Sequence, residues 1–88
     1  MVVDLHSRGT HSLKEKRQIV TSMKEKLKQK FNISIIESDY QDTWQEIQLA
    51  VAMVSNSRSI AGKVFEQIED FIFSNYPVQL VSVNKEYV

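Results

Sequence analysis

From Ile47 to Val54 the side chains alternate without a break, with Ile47, Leu49, Val51 and Met53 on one side and Gln48, Ala50, Ala52 and Val54 on the other. A period of two residues sends successive side chains to opposite faces, so this segment is predicted to be a β-strand. The bulky side is the expected core face, and the other side is small yet mostly apolar. A strand with one bulky face needs neighbouring strands and a covering layer. The rest of the chain must supply both.

Upstream, Val3 and Leu5 alternate with Asp4 and His6, predicting a short strand over residues 1–7 that Arg8-Gly9-Thr10 ends. Ser12-Leu13-Lys14-Glu15 has the capping-box spacing, in which a hydroxyl and a carboxylate satisfy amides at a helix start. A helix over 13–31 follows, with Leu13, Val20, Met23, Leu27 and Phe31 on one arc and Ile19 at its edge. Ile33, Ile35 and Ile36 are β-branched and predict a strand to about residue 38, before turn chemistry at Asp39-Tyr40-Gln41-Asp42. Ser55-Asn56-Ser57 offers N-caps for a second helix carrying the stripe Ile60, Val64, Ile68, Phe71 and Ile72. Asn75-Tyr76-Pro77 stops that helix, and Val78–Val83 forms the last strand.

The order β-α-β-β-α-β predicts a ferredoxin-like α+β fold: a four-stranded antiparallel sheet, order 4-1-3-2, with two helices on one face. Alternating directions bring residues 8–12, residues 39–44 and the Tyr76-Pro77 connection to one end. Residues 55–58 fall at the other. There is no repeat, low-complexity tract or linker, and residues 1–88 are read as a single domain.

The chain has no cysteine, which removes cysteine-ligated zinc, iron-sulfur clusters and thiol chemistry and suits a reducing cytosol; a cytoplasmic location is expected. Its apolar runs are far shorter than the ~20 residues of a membrane span. The start, Met1-Val2-Val3-Asp4, lacks the basic region of a secretory leader. The two histidines show no H-x-H or H-x-x-x-H spacing, and no nucleophile is evident. Asp39, Asp42 and His11 are the set in which metal or acid-base chemistry would be sought. No catalysis, cofactor or metal is expected.

The segments His11-Ser12-Leu13-Lys14-Glu15-Lys16-Arg17, Asn32-Ile33-Ser34-Ile35, Gln41-Asp42-Thr43-Trp44-Gln45 and Leu49-Ala50-Val51-Ala52-Met53-Val54-Ser55-Asn56 occur in this order over nearly the whole chain. In these the chain resembles the YlxP-like family of small bacterial proteins, a domain of unknown function. Two departures stand out: the first strand begins about four or five residues late relative to the family pattern, and Ala50 occupies a position where glycine is usual. The resemblance implies a ferredoxin-like fold and a gene commonly placed among translation and ribosome-maturation genes. It carries over no catalytic residue.

Charge is distributed unevenly along a chain that is neutral overall. Residues 8–30 hold eight bases (Arg8, Lys14, Lys16, Arg17, Lys24, Lys26, Lys28, Lys30) against Glu15 and Glu25, while the remainder holds three bases against nine acids. In projection Arg17, Thr21, Lys24 and Lys28 form a stripe beside the apolar arc, with Lys26 and Lys30 on the other flank. Such a stripe can follow phosphates, each contact releasing counterions; a solvated amphipathic helix gives the same pattern. The loop Arg8 to Ser12 precedes a helix N-terminus, where Arg8 and His11 would assist an anion or the loop would simply cap the helix. Arg8, His11, Lys14, Arg17, Lys24 and Lys28 are therefore the nucleic-acid candidates, with RNA or a ribosomal component as the expected partner.

Tyr40 and Trp44 fall at the same end, as a stacking or partner-binding platform or as a cap on the core. On the sheet face away from the helices, Val2, Ala50, Ala52 and Val54 are expected to be exposed, joined by Ile36 and part of Val78–Val83. RRM domains read RNA with aromatics on the central strands, and strands 1 and 3 here have none. A small apolar face instead suggests a homodimer, with edge pairing through strand 2 or 4 as the competing route. The alternative to RNA binding is thus an oligomeric interaction or small-ligand regulatory module acting through that face or an edge.

Overall fold

A computed structural model describes residues 1–88. The elements are β1 (Val2–Ser7), α1 (Leu13–Lys30), β2 (Ser34–Asp39), β3 (Glu46–Ala52), α2 (Arg58–Asn75) and β4 (Val78–Asn84). The fold is α+β. All strand pairs are antiparallel and the order is β2-β3-β1-β4, the expected order read from the opposite edge.

Register explains the core. Leu5 lies opposite Ile47 and Leu80, Val3 opposite Leu49 and Val83, and Ile35 opposite Val51. Directly paired residues share a face. The odd positions of β1 and β3 therefore form one apolar surface, which joins Val20, Met23 and Leu27 of α1 and Phe65, Ile68 and Ile72 of α2 in a single buried cluster. Both helices cover the same side of the sheet, as the alternation predicts.

Three local expectations are corrected. β3 ends at Ala52, and Val54 is fully exposed in the following loop, not on the open sheet face. There the Ser55 hydroxyl donates to the Ser57 carbonyl (2.9 Å) and accepts from the Ser57 amide (3.2 Å), turning the chain so that Ser57 caps α2. In α2 the buried line is Ala61, Phe65, Ile68 and Ile72, while Ile60 is 54% exposed. Apolar residues at 60, 61, 64 and 65 leave the stripe undefined by one helical step. The packing of Tyr87 against Phe65, with ring centres 6.1 Å apart, accompanies the observed choice. In α1, Leu13 is exposed and the fully buried residue of the first turns is Lys16. β2 begins at Ser34 and α1 ends at Lys30, each within one residue of expectation.

Candidate nucleic-acid interface

The end of the molecule where β1 enters α1 is built by hydrogen bonds between three connections. Ser12 is the N-cap in extended conformation, and its hydroxyl accepts from the Glu15 amide at 3.2 Å. The Glu15 carboxylate accepts from the His11 amide at 2.8 Å, one residue earlier than an ideal capping box. Thr10 is buried, and its hydroxyl donates to the Trp44 carbonyl at 2.6 Å. The amides of Ser7 and Arg8 donate to the carbonyls of Gln45 (2.7 Å) and Pro77 (3.1 Å). The loop, the β2–β3 turn and the Tyr76-Pro77 connection are thus joined, as the topology requires.

Tyr40 occupies the left-handed region of the backbone, with φ 63°, an uncommon conformation for a side chain of this size. Its neighbours hold it there. The Tyr40 amide donates to Asp39 Oδ1 at 2.7 Å, and its carbonyl accepts from the Thr43 amide (3.1 Å), the Thr43 hydroxyl (3.0 Å) and the Lys16 ammonium.

Lys16 links this turn to a buried charge cluster. Its Nζ is 3.2 Å from Glu37 Oε2, the Lys16 side chain is fully buried, and that of Glu37 is 4% exposed. Arg17 Nη2 lies 2.6 Å from both carboxylate oxygens of Glu37. An unpaired charge here would be strongly disfavoured, so the lysine, carboxylate and guanidinium hold one another in place. The bulge between Glu37 and Asp39 accompanies a Glu37 that lies opposite Leu49 and faces the helices.

The contacts of Arg17 orient α1. Because Arg17 reaches Glu37 on β2, its flank of the helix lies along the β2 side, and Lys24 and Lys28 follow at helical spacing with Lys14 and Thr21 beside them. The opposite flank meets α2: the Ser22 and Tyr76 hydroxyls are 2.8 Å apart, and Lys30 Nζ lies 5.1 Å from the centre of the Phe71 ring. A shallow groove of about 640 Å³ along the exposed ridge of α1 has no apolar lining residue. Of the candidates, Lys14, Lys28, Arg8 and His11 are exposed, Lys24 is half-buried, and Arg17 shares its charge with Glu37. Trp44 and Tyr40 are 45% and 39% exposed, and neither belongs to the core cluster.

The sheet face away from the helices divides in two. A polar row crosses all four strands: the Ser38 hydroxyl donates to Gln48 Oε1 (2.8 Å), Gln48 Nε2 to Asp4 Oδ1 (2.8 Å) and the Ser82 hydroxyl to Asp4 Oδ2 (2.7 Å). Beyond it His6 Nδ1 lies 3.4 Å from Glu46 Oε1. On the other side of the row Val2, Ile36, Ala50 and Ala52 border an apolar depression of about 290 Å³. The face carries carboxylates and no Phe, Tyr or Trp side chain, so it lacks the aromatic pair with which RRM domains read RNA.

Asp39, Asp42 and His11 do not assemble; no three His, Cys, Asp or Glu side chains converge as metal ligands. The residues missed from sequence are Lys16, Glu37 and Thr10. Two left a trace: Glu37 shares strand parity with buried Ile35, and Lys16 precedes buried Val20 by one helical turn.

The family model for DUF503, described as a protein of unknown function, matches residues 1–85. The chain belongs to that family. A relative from Bacillus subtilis (strain 168), described as the uncharacterized protein YlxP, is 43% identical over 63 residues, which is 72% of this chain and 68% of that protein. The YlxP-like resemblance is thereby shown. No helix of this DUF503 chain is long and apolar enough to cross a membrane.

Proposed function

We propose that this chain is a non-enzymatic, cytoplasmic binding domain of ferredoxin-like type that engages RNA, or an RNA-bearing ribosomal partner, through the β2-side flank of α1. The observation that carries the reading is the clustering of bases on α1. Lys14, Lys24 and Lys28 share one flank, with Glu25 the exposed acid beside them, whereas the acid excess lies on β2 and its turn (Glu37, Asp39, Asp42) and on the open sheet face (Asp4, Glu46). From Lys14 to Lys28 this flank extends about 21 Å along the helix axis at 1.5 Å per residue, enough for several successive phosphates. Polyanion binding by such a row is driven by counterion release and falls steeply with salt.

The experiment is a binding series against structured and single-stranded RNA from low to physiological salt, with the double variant Lys24→Glu, Lys28→Glu. The expected result is salt-sensitive binding that the variant loses. Absence of binding at low salt, or equal affinity of the variant, refutes the reading.

A second reading, a homodimer through the open sheet face, is favoured by the apolar depression around Val2, Ile36, Ala50 and Ala52, because a twofold axis places identical patches against each other. Sedimentation at high micromolar concentration decides it, and a monomer there removes it.

A further inference from the structure

We infer that the RNA engaged by α1 is recognised as an unpaired strand, with bases stacking on Trp44 and Tyr40 at the β2–β3 turn. The inference rests on the RNA reading above and specifies its substrate class. Its basis is the juxtaposition of two exposed aromatic side chains with cations on both sides of a hydrogen-bonded turn. On one side, the bond from Lys16 to the Tyr40 carbonyl and the Arg17–Glu37 pair set the turn against the first turns of α1, which carry exposed Lys14. On the other, the bond from Thr10 to the Trp44 carbonyl joins the turn to the loop bearing exposed Arg8 and His11.

Exposure at this position is not incidental to the packing. Trp44 leaves 45% of its surface in solvent while its carbonyl is fixed by a buried hydroxyl, and Tyr40 leaves 39% while its backbone is held in the left-handed conformation. Both side chains are presented by backbone that is already ordered, which lowers the entropic cost of engaging a ligand. The carboxylates of Asp39 and Asp42 on the same turn repel phosphate. The neutral part of a nucleotide is therefore the part that fits against the rings, with phosphates directed to Lys14, Arg8 and the α1 flank. Bases within a duplex are already stacked on one another, so only an unpaired strand can supply a free face.

Trp44 is the single tryptophan, so its fluorescence reports this site alone. The test titrates the full chain with a short, end-labelled adenine homopolymer RNA and with an RNA duplex of equal length, reading Trp44 emission and probe anisotropy together. Emission is expected to be quenched by the single strand and not by the duplex. Trp44→Leu is expected to weaken single-strand binding about five- to a hundredfold, with duplex affinity unchanged and Trp44→Phe restoring most of the loss. Binding by anisotropy without quenching, and with Trp44→Leu as tight as the parent, overturns stacking and leaves the α1 reading intact. No anisotropy change with either RNA overturns both.

Discussion

The Lys16 ammonium sits 3.2 Å from the Glu37 carboxylate, with the lysine wholly buried and the glutamate side chain nearly so. One ion pair thereby ties α1 to β2, and the same ammonium reaches the Tyr40 carbonyl across to the turn. Removing Glu37 leaves the buried Lys16 ammonium without its counter-charge, whereas removing Lys16 leaves Glu37 still paired with Arg17. Glu37→Leu is expected to destabilise the chain by about 3 to 5 kcal/mol. Lys16→Met should cost less because Arg17 still neutralises Glu37, and the double variant should recover most of the loss. Urea midpoints of the three variants check the ordering; equal costs for both single variants would contradict it.

The stripe of α2 makes a sharper contrast. Phe65 is 4% exposed and Ile60 is 54% exposed. Phe65→Ala should lower stability by about 3 to 5 kcal/mol, and Ile60→Ala should stay within about 0.5 kcal/mol. Thermal or urea unfolding of the pair reads the orientation of the helix directly.

Thr10→Val keeps the shape of a fully buried side chain and removes the 2.6 Å bond to the Trp44 carbonyl. The expected cost is about 1 to 3 kcal/mol, since that carbonyl loses a buried donor. Hydrogen exchange should quicken at residues 40–45, with helix α2 unchanged. A uniform change across the chain would instead mean that the turn is not locally pinned.

If Lys14, Lys24, Lys28 and Arg8 each neutralise one phosphate, log K against log salt should fall with a slope of about −3 for a single strand. Lys24→Glu, Lys28→Glu should flatten it by at least half. Changing Lys26 and Lys30, on the flank that meets α2, should leave the slope near the parent value.

The Met1 amine donates to the Val51 carbonyl at 2.8 Å, and burial lowers its pKa from the ordinary 8.0, with Glu86 opposing. The unfolded amine then holds its proton to higher pH than the folded one. Stability should rise with pH between the folded value and 8.0, and this contribution should be flat outside that window. Comparing the free chain with its Nα-acetylated form across that range isolates the effect, which only the free amine should show.

The elements, their order and the covered sheet face were legible because each rests on a local periodicity. Val3, Leu5, Ile47, Leu49 and Val51 alternate, and Val20, Met23 and Leu27 recur at helical spacing. The stripe of α2 was less so, because Ile60, Ala61, Val64 and Phe65 satisfy two adjacent faces equally and tertiary packing selects one. The charge cluster was hidden for a different reason. Lys16 stands in the run Lys14-Glu15-Lys16-Arg17, which reads as a solvated turn, and only a partner 21 residues away makes its burial tolerable. The basic and aromatic candidates were identified by residue type, but Arg17's attachment to Glu37 depends on how α1 lies against β2.

Charge segregation also gives the molecule a direction. With zero formal net charge and an isoelectric point near 6.7, it still has a cationic pole along α1 and an acid excess on β2 with its turn and on the open sheet. A body of this kind turns in an electric field before it touches anything, so a polyanion would meet it α1 first. The same polarity implies retention at low salt on both cation and anion exchangers near pH 6.7, each resin holding the opposite pole.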